Sequence, residues 1–166
     1  RSRQHKIYHT KQNLTVLGRI KMEFNFINIS GLAIVIIMLI PNLIYAKRTH
    51  DVHNKCKSRF FNIIEQIGRY SSFILMFLPL GVREFGFYDV LPMLIYLFAN
   101  TALLIAYLII WGFYFKSPSV RKALSLAIIP TAIFLVSGLT LLHWLWVAAA
   151  LLFGTGHIYV TYQNHK

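Results

Sequence analysis

Glu65 and Arg69 lie four residues apart, with Gln66 between them, at the start of a long apolar stretch. Residues at i and i+4 share one helix face, so the two can pair. Ionisable groups inside a membrane span usually face the bundle interior or water, and they are functional candidates by default. The plainer alternative is that Arg69 buries its stem and reaches lipid phosphates with its head. Asn62 and Gln66 flank the pair, and all four are expected to face the bundle. His157 lies near the end of the last apolar run, and imidazole is the side chain suited to exchanging a proton near neutral pH. With Glu65 it would supply an acid and a base.

Three further polar or aromatic positions belong with these. Asn42 follows Pro41, which removes one backbone donor from its helix, and the Asn42 amide is placed to satisfy a carbonyl freed there. Tyr96, Asn100, Leu103, Tyr107, Trp111 and Tyr114 fall on one helical stripe. Asn100 in that stripe reads either as an interhelical hydrogen bond or as the polar contact of an aromatic-lined cleft with Tyr107. Trp111 and Tyr114 read as an interfacial belt. Ala150-x-x-x-Gly154 permits close helix approach. The candidate ligand-binding set is therefore Asn42, Glu65, Gln66, Arg69, Asn100, Tyr107 and His157.

Other chemistries lack their residues. No nucleophile elbow, zinc-protease helix, phosphate loop or dinucleotide fingerprint occurs, so no catalytic residue is assigned and no cofactor is expected. Cys56 is the one cysteine, which rules out a disulfide framework and a cysteine-rich metal site. His50 and His53 beside Asp51 read as solvated loop, and no metal site is expected.

The elements that must position these residues are membrane spans. Of 166 residues, 57% are hydrophobic and only 13% charged, against 45–50% and about 25% in soluble domains. The fold class expected is an all-α membrane protein with a bundle of about five transmembrane helices. The spans fall at Phe26–Ala46, Phe60–Val82, Leu91–Phe115, Ala123–Leu142 and Trp144–Tyr162. The second is the weakest, because its strictly apolar part, Tyr70–Leu80, is about 11 residues, too short for a core about 30 Å thick. It must draw in the turns holding Glu65 and Arg69. Phe60, Ile63, Ile64 and Ile67 make one face there, and the polar residues make the other.

The formal net charge is +12, from 17 basic and 5 acidic residues. The basic residues sit in short connections between apolar runs, which points to membrane topology and away from nucleic acid. Six of them precede Met22. Gly18-Arg19-Ile20-Lys21-Met22 can be encoded by a purine-rich ribosome-binding site followed by a start codon. Residues 1–21 are thus expected to be a basic segment upstream of a native start at Met22, and residues 22–166 a single five-span domain carrying +6. From Met22 onward the Lys/Arg counts beside successive spans run 0, 5, 1, 3, 0 and 1. That alternation places the N-terminus outside and the C-terminus in the cytoplasm.

Four segments carry a resemblance: Ile40-Pro41-Asn42-Leu43-Ile44-Tyr45-Ala46, Ile64-Glu65-Gln66-Ile67-Gly68-Arg69, Ala127-Ile128-Ile129-Pro130 and Gly156-His157-Ile158-Tyr159-Val160-Thr161-Tyr162. In these the chain, from Met22 to its end, resembles a group of small multi-span membrane proteins of low-GC Gram-positive bacteria. The resemblance implies a multi-pass protein of the bacterial cell membrane and draws attention to Pro41-Asn42, Glu65–Arg69 and Gly156-His157. It brings no activity with it. The expected partners are the lipid bilayer and either a second copy of the chain or another membrane protein. The functions in view are small-molecule or lipid binding of a transport type, or an accessory membrane subunit. The alternative is a membrane-embedded enzyme acting on lipid through Glu65 and His157.

Overall fold

The computed structural model describes residues 27–49, 54–78, 80 and 86–166, together with the backbone of Met22–Glu23. Residues 1–21, His50, Asp51, His53, Arg83 and Glu84, and the expectations attached to them, lie outside the described residues. Five helices make up nearly all of the rest: α1 Ile29–Arg48, α2 Arg59–Phe77, α3 Val90–Lys116, α4 Val120–Thr140 and α5 Trp144–His165. A two-residue ladder pairs β1 Met22–Glu23 antiparallel with β2 Gly86–Phe87. Four of the helices, α1, α3, α4 and α5, are long and apolar enough to cross a membrane.

The helix ends follow from local chemistry. Asn28 caps α1, its side-chain oxygen accepting from Gly31 N–H at 3.0 Å. Ser119 caps α4 in the same way, accepting from Lys122 N–H, and Asp89 at the start of α3 accepts from the N–H of the adjacent Val90. The second helix ends at Phe77, five residues before the expected Val82. Leu78 is extended, at φ −109° and ψ 134°, because Pro79 follows it and disfavours the helical region for the preceding residue. α4 and α5 are joined by a tight turn in which Leu142 takes a positive φ of 52°. There His143 N–H donates to Gly138 O at 2.8 Å, closing the end of α4.

Contacts at the two ends fix the direction of each helix. At one end, Asn28 N–H donates to Phe77 O and Asn28 Nδ2 to the Tyr96 hydroxyl, joining the start of α1 to the end of α2 and the start of α3. At the other, Arg48 lies over the Phe115 ring, Tyr114 meets His165, and Phe61 stacks on Tyr159. Helices α1, α3 and α5 therefore run against α2 and α4, and the basic residues Lys47, Arg48, Arg59, Lys116, Arg121 and Lys122 gather at one end.

Packing is uneven. α2 and α5 share the most extensive interface, followed by α4 with α5 and α3 with α4, whereas α1 touches α2 and α3 more lightly. The core holds Met76, Ile133, Phe134, Trp146, Ala150 and Phe153 together with a file of α3 aromatics. Trp111 and Tyr114 belong to that file rather than to an interfacial belt. Both are buried and packed edge-on against each other and around Tyr45. The six-residue stripe reads correctly as one face, but that face turns inward along its whole length.

Candidate functional site

The site is built where α2 and α5 come closest. A Cβ added to Gly156 would stand 2.6 Å from Glu65 N and 2.7 Å from Glu65 Cα, and one added to Gly68 would collide with the backbone of Phe153. Glycine on each helix thus brings the two backbones into contact. Ala150 is buried in the core, but Gly154 meets the Thr131 side chain of α4. The small-residue signal in α5 therefore serves a different pair of helices from the one that forms the site.

That approach brings His157 to Glu65. The His157 Nδ1 contacts Glu65 Oε1 at 2.8 Å, and Arg69 Nη2 donates to the same oxygen. Glu65 is buried, whereas the side chains of Arg69 and His157 keep 32% and 23% of their exposure. Because a carboxylate only accepts, the hydrogen of this contact lies on His157 Nδ1, which leaves Nε2 free to accept or to take up a proton. The Phe153 ring stacks on the imidazole, with centroids 4.8 Å apart and planes within 19°. Glu65 is the one acid within any of the five helices, and Arg69 the one Lys or Arg more than a turn from a helix end. The interior charge of the bundle is concentrated in this cluster.

Asn42 and Tyr107 complete it. Asn42 Nδ2 donates to the Tyr107 hydroxyl at 2.7 Å and to Met38 O at 2.8 Å. The carbonyl that Pro41 deprives of its donor is that of Ile37, so the amide takes the neighbouring carbonyl instead. Two cavities meet here. One, of about 110 Å³, is lined by Asn42, Arg69, Phe73, Tyr107, Pro130 and His157 among others. The other, of about 130 Å³, is lined by Asn42, Tyr45, Trp111, Tyr114, His157 and His165 with apolar residues of α4. Asn42 and His157 stand in the walls of both.

The expected set is not gathered whole. Asn42, Glu65, Arg69, Tyr107 and His157 come together from four elements. Gln66 is exposed, turned away from the cluster by its one-residue offset from Glu65. Asn62 is half-buried and serves the α1–α2 connection, accepting from Asn54 and donating to Cys56 O. Asn100 is buried elsewhere, donating to Ser137 Oγ of α4 at 3.0 Å, the interhelical hydrogen bond of its plainer reading. Among the described residues no group of three or more His, Cys, Asp or Glu is placed to hold a metal.

One polar cluster was not anticipated. Asn28 at the opposite end accepts from Ser30 Oγ at 2.6 Å and donates to Tyr96, tying α1 to α3. His143 there caps α5, its Nδ1 accepting from Trp146 N–H at 3.3 Å. Burial holds this imidazole below the usual histidine value, opposed by hydrogen bonding with the Leu80 backbone. The signal for Asn28 was its place as an N-cap residue three before Gly31. No family model, curated protein or solved structure matches the chain.

Proposed function

We propose that the chain is a multi-pass protein of the bacterial cell membrane that binds a small polar solute in the cavities beside Glu65, Arg69 and His157, as a transport-type or accessory component. The observation that carries this reading is the convergence of Arg69, His157, Asn42 and Tyr107 on two adjoining cavities inside the bundle. A structural salt bridge alone would call for no such space. Pockets that recognise small molecules are mostly apolar with a few convergent polar groups, and this one has that composition.

In this reading α2 is the fifth span. Its apolar side chains Phe60, Ile63, Ile67, Tyr70 and Ile74 are exposed, while Glu65, Gly68, Ser72, Leu75 and Met76 are buried. A soluble amphipathic helix has the opposite arrangement, and the outward apolar face suits lipid. The basic end of the bundle faces the cytoplasm, which puts the N-terminus outside. Arg69 lies ten residues along α2 from Arg59, about 15 Å at 1.5 Å per residue, so it sits near mid-depth, and the cavity lined by Thr161 and His165 extends from there toward the basic end.

The test is access of water to the cavity. In a Cys56→Ser chain, a cysteine replacing Thr161, which lines the larger cavity, should react with a small cationic thiosulfonate from the cytoplasmic side. A cysteine replacing the fully buried Ala150 should not. A folded chain inert at position 161 would reduce the cluster to packing. Release of fatty acid or headgroup from phospholipid by the purified chain, lost in Glu65→Gln, would instead favour the lipid-directed enzyme.

A further inference from the structure

The cluster's charge balance identifies what the cavity would hold. We infer that it binds a small monoanion together with one proton, the proton on His157 Nε2 and the anion against the free N–H groups of Arg69 and the Tyr107 hydroxyl, which Asn42 orients. This rests on the cavity being a solute site, and it adds the class of solute.

Glu65 and Arg69 cancel, and neutral His157 leaves the cluster without net charge. An anion alone would then bring one uncompensated negative charge into the bundle, and a proton on His157 alone would leave one uncompensated positive charge. Isolated charge in such surroundings is costly, and a pair is much less so. Each ligand therefore favours the other, and the coupling is reciprocal. Glu65 makes the histidine the receiving group, because its oxygen accepts from Nδ1 and leaves Nε2 to take the proton.

The surroundings supply no other charge to substitute. α2 presents Glu65 and Arg69. From α3 come Tyr107 and Tyr114, from α1 Tyr45 and Asn42, and from α5 itself His165, which is engaged with Tyr114 and Thr161 O. The lining from α4 is Ala123, Leu126, Ala127 and Pro130, none of them ionisable. The donors suit an anion: Arg69 has five N–H groups, of which one is engaged by Glu65. Cavities of about 110 and 130 Å³ have room for an anion of a few heavy atoms.

The experiment is calorimetric titration of the purified full chain in detergent with sodium formate at pH 6, 7 and 8, with sodium sulfate as an ionic-strength control. Formate remains an anion throughout, so any pH dependence belongs to the protein. Formate affinity should fall about tenfold per pH unit on the alkaline side, with one proton taken up per formate bound, measured from the buffer dependence of the heat. His157→Gln keeps an N–H for Glu65 and should bind formate weakly at every pH, and Arg69→Gln should abolish binding. Formate binding that is independent of pH, or pH dependence that survives His157→Gln, overturns the inference. So does absence of formate binding in a chain whose position 161 reacts with thiosulfonate, a result that leaves the solute-site reading standing. If His157→Gln fails to fold, the proton count on the unaltered chain decides alone.

Discussion

Replacing Gly156 with alanine puts the central contact under direct strain. The new Cβ would lie 2.6 Å from Glu65 N, 2.7 Å from its Cα and 2.9 Å from its Cβ. Ordinary contact begins near 3.4 Å, and two of these three atoms are backbone, so α2 and α5 must part by about 0.8 Å. The same movement stretches the Glu65–His157 contact from 2.8 Å to about 3.6 Å, outside hydrogen-bonding range. Overpacking of this kind costs about 1–3 kcal/mol, and a lost charged hydrogen bond costs about 1–2 kcal/mol at a partly exposed histidine. Alanine's helix preference returns about 1 kcal/mol. The net expectation is a loss of about 1–4 kcal/mol in reversible unfolding from detergent micelles, together with a changed His157 signal in histidine NMR. Gly112→Ala is the control, since nothing lies within 4 Å of its added Cβ. It should be neutral or slightly stabilising. Equal stability of the two variants, with His157 unchanged, would refute the claim that glycine contact creates the site.

Two named contacts lead to further expected outcomes. In a thermal double-mutant cycle, Glu65→Gln with Arg69→Leu should be milder than the sum of the singles, because each single leaves its partner unbalanced. The coupling should be about 1 kcal/mol, as Arg69 keeps 32% of its exposure, and strict additivity would show that the two do not interact. Acidification should destabilise the fold through His143. Its folded-state value lies below the unfolded 6.5, so the unfolded chain binds more protons, and stability falls as pH drops below about 6.5 and is flat above. His143→Asn, which keeps a capping acceptor, should flatten part of that slope, and an unchanged slope would discharge His143.

Apolar content and length alone mark α1, α3, α4 and α5 in the sequence, because a membrane demands nothing subtler of a span. The Glu65–Arg69 pair was legible too, since i and i+4 spacing fixes proximity within one helix. Distance along the chain hid the rest. Nothing local brings His157 to Glu65, 92 residues away, and the glycines that permit it resemble any other small residues until both backbones are placed. Gln66 shows the limit of reading a face from one helix: an offset of about 100° was enough to expose it. Trp111 shows the limit of composition, because an aromatic residue near a helix end packs inward as readily as it anchors at an interface.

The partnership of α2 with α5 also has a consequence for biogenesis. The helix carrying Glu65 and Arg69 emerges from the ribosome before α3 and α4, and the helix that satisfies Glu65 and covers Gly68 emerges after them. Until then α2 is a marginally hydrophobic segment with two charges and without its α5 partner, and on the five-span proposal it would have to be inserted without the contact that stabilises it in the bundle. The final turn of α5 also fastens the α1–α2 connection, Asn164 accepting from Lys55 N–H at 2.9 Å and Cys56 N–H at 3.2 Å. A chain cut short before α5 would therefore leave an earlier helix without its main packing partner, and on the five-span proposal uncommitted to the membrane, exposing the defect to quality-control proteases far from the missing residues.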